Sequence, residues 1–377
     1  MKKILFIVSH LGYGGIEQAT INEANLLSEY FNVSIVSTYK LMDNPAFNLN
    51  DTVNVQYLLR DKPNIQELLD NLKDFNIFNF LAECTKSIRI LYNKKYSIIK
   101  FLKKNSYNII ISTRDYFDGI VAKVCKGNAL LLAREHRHHN NDFKYIRKLC
   151  TAVSNFDYFL PVSKELAQFY SSCLKNKRVA VRYLPNFLEN SPDINVTKKE
   201  KNIIAVGRFS IEKGFIYMID IINDLRKTYP DVVLHLIGDG KERGSIESRI
   251  RLLNCQDNVF LHGFQNKEYI NKWYEKSAIY IMTSLEEALP FVLIEAQSYS
   301  LPCVVYDSAQ GAKEIIDDNE TGYLIAKRDK SEFIEKIVLL FSNEALYKRM
   351  SKNAFNHSKK YSKENIEKTW LSILGIS

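Results

Sequence analysis

Two cations stand five residues apart in Gly207-Arg208-Phe209-Ser210-Ile211-Glu212-Lys213-Gly214, just after the aliphatic run 203–206 and before a segment of helical period, 215–227. A strand-to-helix turn of this kind brings together glycine backbone, a helix N-terminus and positive charge, a combination suited to a diphosphate. It is not a Walker A loop, because the GxxxxGK(S/T) spacing is absent. On their own, Arg208 and Lys213 also read as ordinary surface charges. Support comes from Thr283 to Ala296, TSLEEALPFVLIEA, where seven residues separate Glu287 from Glu295. Pro290 is a natural first-turn residue, so Glu295 falls about one and a half turns into a helix while Glu287 lies on the loop before it. Two carboxylates at different depths can accept hydroxyls of one sugar-like ligand.

The elements that must hold these groups are written in the alternation of the chain. Short aliphatic runs at 4–8, 33–37, 108–112, 130–133 and 158–161 alternate with longer segments of helical period. This predicts an α/β fold with a buried parallel sheet covered by helices on both faces. A second series starts afresh at 203–206 and continues at 232–237, 259–261, 279–282 and 303–306, giving two Rossmann-like units in 377 residues. The polar stretch 186–202, which carries Ser191-Pro192-Asp193, reads as the connection. The expected division is a first domain at 1–190, a linker at 191–201, a second domain at 202–355 and a C-terminal helix at 356–377 crossing back to the first domain. Tyr361 and Trp370 are its expected apolar anchors.

Charge is distributed unevenly. Residues 1–190 hold 26 basic and 17 acidic side chains, and residues 191–377 hold 26 of each, so the whole net charge of +9 lies in the first half. It concentrates in residues 86–148, where 15 basic side chains, Lys94, Lys95 and Arg134 among them, face 4 acidic ones, predicting an anionic partner for that face. No zinc-finger spacing, RNP-like string or helix-turn-helix signal accompanies the charge, so nucleic acid is not expected. Between Ile88 and Lys104, apolar Ile88, Leu91, Ile98, Ile99 and Leu102 recur at near-helical spacing among lysines that include Lys100, Lys103 and Lys104. Such a helix suits either an anionic membrane surface or a core with a solvated basic face. Apolar runs reach only about five residues against the roughly 20 needed to span a bilayer, so no transmembrane helix is expected, and Lys2 to Val8 reads as a first strand rather than a signal peptide. The six scattered cysteines show no metal or disulfide spacing and are expected to be mostly small core residues in a reducing cytosol.

The ordered set Gly207-Arg208, Lys213-Gly214, Ile237-Gly238-Asp239-Gly240, His262-Gly263-Phe264 and Glu287-x7-Glu295 resembles the C-terminal half of retaining GT-B glycosyltransferases, in particular family 4. The resemblance extends to Gly14-Gly15-Ile16-Glu17, Pro161-Val162-Ser163, Pro185-Asn186, Gly311 with Glu314, and Gly322-Tyr323-Leu324. It implies two Rossmann-like domains facing across a cleft, with the acceptor on the first and a nucleotide sugar on the second. Arg208 and Lys213 then resemble the pair that binds the donor diphosphate, Glu295 the ribose acceptor, and Glu287 the carboxylate near the hexose, with Ala288, Leu289 and Pro290 lining the same loop. Gly207, Gly263 and Phe264 would border the nucleotide, and Gly14 and Gly15 would let phosphates approach closely. His136 occupies the place of a histidine near the reacting sugar, and Arg114 would face the acceptor. No covalent nucleophile is assigned.

At Glu287-Ala288-Leu289-Pro290 the sequence departs from the family pattern, in which glycine and an aromatic residue usually follow the glutamate. Ala288 suggests a stiffer or differently bent loop. No Asp-x-Asp occurs, so no metal and no other cofactor is expected. The implied activity is metal-independent, retaining transfer of a hexose or N-acetylhexosamine, UDP-linked as the first choice with GDP-mannose as the other, to a lipid-linked or cell-surface glycan. The implied location is the inner face of the cell membrane. A nucleotide-sugar epimerase and a catalytically silent sugar-nucleotide sensor are the alternatives.

Overall fold

The computed structural model describes residues 1–60, 62–64, 67, 71–72, 77–125, 127, 129–189, 192 and 200–376. The expected linker at 191–201 falls largely outside them. The chain divides into two compact units, unit 1 comprising 1–162 and 166–184, and unit 2 comprising 163–165 and 185–377.

Unit 1 is built on β1 (Lys3–Val8), α1 (Gly15–Leu27), β2 (Asn32–Tyr39), β3 (Asn54–Leu59), α2 (Ile77–Lys104), β4 (Ile109–Ser112), α3 (Asp115–Val124), β5 (Leu130–Glu135), α4 (Phe143–Val153), β6 (Tyr158–Pro161), α5 (Lys164–Cys173) and β7 (Ala180–Val181). The first two residues of α5 group with unit 2. Its strands form one seven-stranded sheet in the order β3-β2-β1-β4-β5-β6-β7. Every pairing in it is parallel, with Ile4 opposite both Val33 and Ile109. Because both faces are covered, β1 is a continuous apolar run and Ile4 to Val8 are buried.

Unit 2 repeats the plan with β8 (Asn202–Val206), α6 (Phe215–Leu225), β9 (Val233–Ile237), α7 (Arg243–Leu252), β10 (Val259–Leu261), α8 (Lys267–Lys276), β11 (Ile279–Met282), α9 (Phe291–Ser298), β12 (Cys303–Tyr306), α10 (Ala312–Ile315), β13 (Gly322–Ile325), α11 (Lys330–Ser342), α12 (Glu344–Ser358) and α13 (Lys363–Leu374). The six strands run β10-β9-β8-β11-β12-β13, all parallel. Tyr361 and Trp370 are buried anchors, as expected, and lie within unit 2.

Strand order reverses between β1 and β4 in unit 1 and between β8 and β11 in unit 2. In open parallel sheets, ligands bind beyond the carboxyl ends of the strands at such a switch point. The turn holding Gly14 and Gly15 follows β1, and Arg114 follows β4. Arg208 and Lys213 follow β8, and Glu287 follows β11.

Two expectations need correction. Arg134 does not contribute to a basic surface: it is 1% exposed and ion-paired at 2.7 Å to Glu23 on α1. Its Nη1 donates to the carbonyls of Leu160 and Leu184 at 3.0 and 2.7 Å. The apolar side chains of α2 do not share one environment either. Ile98 and Leu102 are core residues, whereas Ile88 and Leu91 are exposed. Among the cysteines, Cys255 and Cys303 are buried but Cys173 is exposed, and all six are free thiols.

Candidate functional site

In unit 2 the turn after β8 is fixed before any ligand is considered. Gly207 donates its N–H to Ile237 and Phe209 to Asp239, at 3.0 and 2.9 Å, which stitches this turn to the end of β9. Ile211–Lys213 forms one tight helical turn that ends at Gly214 with φ of +66°. A Cβ at Gly214 would lie 2.6 Å from the Thr283 carbonyl, so both the left-handed backbone and the close approach to β11 require glycine. The Thr283 hydroxyl donates to the Gly214 carbonyl at 2.8 Å. Arg208 is exposed at this turn and has no ion-pair partner among the described residues. Lys213, on the same turn, makes an ion pair with Glu287 at 2.5 Å.

Glu287 sits on the loop before α9. Its Oε1 accepts from both Lys213 and the Ser284 hydroxyl, the latter at 3.0 Å. Leu285 N–H donates to the Glu212 carbonyl at 2.7 Å, so the loop and the cationic turn are joined through backbone as well. Behind the loop, Gly311 donates to the Glu287 carbonyl at 2.9 Å. A Cβ on Gly311 would meet the Ala288 carbonyl at 2.2 Å. Ala288, Leu289 and Pro290 are buried by this packing. Pro290 stands as the cap of α9, one position before its first residue, Phe291.

Glu295 lies within α9, as its spacing predicted, and is 4% exposed. Its carboxylate is ion-paired with Lys267 and accepts from the Tyr274 hydroxyl at 3.2 Å. Burial, with the negative charge of Glu295 next, pushes the Tyr274 phenol well up, so it stays a donor. Glu287 and Glu295 therefore have separate sets of partners. Gly263, with φ of +66°, and half-exposed Phe264 follow β10. The loop there is held by Gln265, whose Nε2 donates to the His262 carbonyl at 2.8 Å. His262 is itself linked to His235 at 3.0 Å and to the Tyr269 hydroxyl at 2.8 Å.

In unit 1, Gly14 caps α1, Gly15 is its first residue, and Arg114 caps α3. Arg114 donates to Glu17 at 2.9 Å, and the His10 ring lies 3.6 Å from the same carboxylate. His136 is partly buried just past β5. Beside it Glu135 is buried, accepting from Arg137 N–H at 2.7 Å and from the Tyr145 hydroxyl at 2.9 Å. Burial raises the Glu135 carboxyl to about 7 against the opposing effect of those bonds. Lys100, Lys103 and Lys104 are exposed on the last turns of α2.

Several participants carried no legible role in the sequence. Glu17 stands in the Gly14-Gly15-Ile16-Glu17 string, yet only the fold brings it to Arg114, 97 residues away. Lys267 and Tyr274 share a face of α8, and nothing in their spacing points to Glu295. Arg328 bonds the Thr283 carbonyl at 3.2 Å and the Ser308 hydroxyl at 3.0 Å, and stacks on Tyr217 and Tyr306. It braces the end of β11 from a segment with no motif.

Residues 186–357, which include Arg208, Lys213, Glu287 and Glu295, match the family model described as Glycosyl transferases group 1. The chain is 27% identical over 385 residues to an uncharacterized glycosyltransferase of Haemophilus influenzae, covering 99% of this chain and 100% of that one. It is 24% identical over 391 residues to the Campylobacter jejuni enzyme GalNAc-alpha-(1->4)-GalNAc-alpha-(1->3)-diNAcBac-PP-undecaprenol alpha-1,4-N-acetyl-D-galactosaminyltransferase, covering 99% and 98% of the two chains. Among solved structures, a mutant of S. aureus TarM in complex with fondaparinux, alpha-GlcNAc-glycerol and UDP superposes with a TM-score of 0.80 at 15% identity, over 99% of both chains. The fold is thus that of the GT-B glycosyltransferases. The match at 186–357 and these glycosyltransferase relatives support a transferase enzyme.

Proposed function

We propose that the chain moves a hexose or N-acetylhexosamine from a UDP-sugar to a lipid-linked or cell-surface glycan, with retention of anomeric configuration and without a metal. The observation that carries this reading is the cationic turn after β8 joined to the Glu287 loop: Arg208 exposed, and Lys213 bound to Glu287 at 2.5 Å. When the bond between the anomeric carbon and the β-phosphate oxygen breaks, negative charge grows on the departing nucleotide. Arg208 and Lys213 supply the fixed positive charge that stabilises it. Glu287 Oε1 is occupied by Lys213 and Ser284, which leaves Oε2 to accept from a hydroxyl of the donor hexose. Glu295 would accept from the ribose by exchanging its bonds to Lys267 and Tyr274. The acceptor hydroxyl attacks from the face the nucleotide leaves, and its proton passes to the departing phosphate, so no enzyme nucleophile is needed. UDP in the TarM complex and an undecaprenol-linked substrate in the Campylobacter relative's name support the choice of donor and acceptor class.

The test is nucleotide release from UDP-, GDP- and ADP-sugars in EDTA, with and without lipid-linked glycan extracted from bacterial membranes. Acceptor-stimulated UDP release and a product of retained anomeric configuration are expected. Tight donor binding with no release under any condition would overturn the reading.

A further inference from the structure

The outward face of α2 is apolar where a solvated helix would be polar. Ile77, Phe78, Leu81, Ile88, Leu91 and Tyr92 are each more than half exposed, with Phe78 at 88%, Ile77 at 70% and Ile88 at 69%. Tyr96 continues the row, its ring 6.2 Å from that of Tyr92. The core contacts of the helix, Ile90, Ile98, Phe101 and Leu102, all come from Ile90 onward. A soluble chain seldom leaves so many large apolar side chains on one exposed surface without a partner for them.

On α2 itself the exposed charges are all of one sign. Arg89, Lys95, Lys100, Lys103 and Lys104 are exposed on α2, and the one carboxylate of the helix, Glu83, is drawn inward to Asn64 and Lys86. Lys94 is excluded from this set because it lies over the Tyr116 ring at 4.1 Å. We propose that this face of α2 docks on an anionic lipid surface, its apolar side chains entering the headgroup boundary while its lysines and Arg89 meet the headgroups. The proposal deepens the reading above, on which it rests for the expectation of a membrane-borne acceptor. Tyr92 and Tyr96 suit the interface because one end of each ring is apolar and the other wet. A second copy of the chain fits less well, since its α2 would bring the same exposed cations to the contact. The helix packs on α3 through Lys94 and Tyr116, and α3 begins directly after Arg114, so docking would steady the acceptor-side turn of the same unit.

The test uses the whole chain and sedimentation with vesicles of phosphatidylcholine alone or with 30 mol% phosphatidylglycerol added, with neither donor nor acceptor present. Binding to the anionic vesicles that weakens in high salt is expected. The Ile88→Glu/Leu91→Glu variant should lower the partition coefficient at least tenfold. So should the Lys95→Gln/Lys100→Gln/Lys103→Gln variant, because each basic residue near such a surface contributes about fivefold. Both should melt like the parent, as the side chains are exposed. Equal sedimentation with both vesicle types, binding unchanged in the Glu variant, or self-association abolished by that variant without vesicle binding would each overturn the proposal. Transfer to a detergent-solubilised acceptor without vesicle binding sinks the docking alone; vesicle binding without transfer to any acceptor sinks only the reading it rests on.

Discussion

An arginine stands near the carboxyl end of a sheet strand in each unit, Arg134 within β5 and Arg208 just past β8, and the two are used in opposite ways. Arg134 is enclosed, with Glu23 and the carbonyls of Leu160 and Leu184 around its guanidinium. Arg208 is exposed at a switch point, beside a turn tied to β9 through the N–H groups of Gly207 and Phe209. Counting cations along the chain cannot separate these cases. What separates them is whether a carboxylate buried with the cation cancels its charge, as Glu23 of α1 does for Arg134, while Arg208 has no ion-pair partner among the described residues.

The largest effect is expected where the cancelled charge is broken. Arg134→Ala strands Glu23 without its partner and should cost about 3–5 kcal/mol in urea unfolding. The double change Glu23→Leu/Arg134→Met should recover most of it, because it removes both charges and keeps volume. A single variant that unfolds within 1 kcal/mol of the parent would break the comparison at its root. In unit 2, Arg208→Ala or Lys213→Ala should leave unfolding nearly unchanged and lower turnover by roughly 100- to 1000-fold, about 3–4 kcal/mol of transition-state stabilisation. Turnover within a factor of a few of the parent would return both residues to the status of surface charges.

This contrast also marks what the sequence made legible. Buried parallel strands announce themselves as aliphatic runs, so β1, β2, β4, β5 and β6, and likewise β8 to β12, stand where the runs predicted. Edge strand β3 did not, because its residues, NVQYLL, are only half covered and carry no continuous run. β7 has two residues, too few for a pattern. Within the site, the Arg208, Lys213 and Glu287 positions were readable because turn chemistry and helix phasing are local. Glu17 with Arg114, Lys267 with Glu295 and Arg328 under β11 were not, since each pairing joins segments whose proximity only the sheet order creates. The two readings of α2 stayed open for the same reason: helical period gives a stripe, not which end of it the core covers.

The two units should also differ in how pH loosens them. Unit 1 buries carboxyls whose charged form is disfavoured: burial raises Glu135 to about 7 and lifts Asp118 well above the usual range. Folded Glu135 holds its proton more tightly than the unfolded chain does. Its contribution is therefore fully present below the ordinary carboxyl value and lost as pH rises through about 7. Glu135→Gln keeps an acceptor for Tyr145 and removes the titration. It should flatten the decline in stability between pH 5 and pH 8 by roughly 1–3 kcal/mol, read by urea unfolding at each pH. An unchanged slope would place the alkaline weakness elsewhere.

Unit 2 should show the opposite limb, and more weakly. His235 is packed 3.7 Å from the Trp273 ring, and its Nδ1 shares one hydrogen bond with His262 Nε2 at 3.0 Å. Burial first, and the neighbouring His262 second, lower His235 to about 4. The unfolded chain takes up this proton at the ordinary histidine value, while the folded chain resists it. The contribution is thus complete above about 6.5 and lost as pH falls from there toward 4. His235→Phe preserves the aromatic packing without the proton and should flatten the acid limb by about 1 kcal/mol, a figure reduced for partial solvent screening of the ring. If the Phe variant keeps the full acid limb while Glu135→Gln removes the alkaline one, the pH contrast between the units reduces to unit 1 alone.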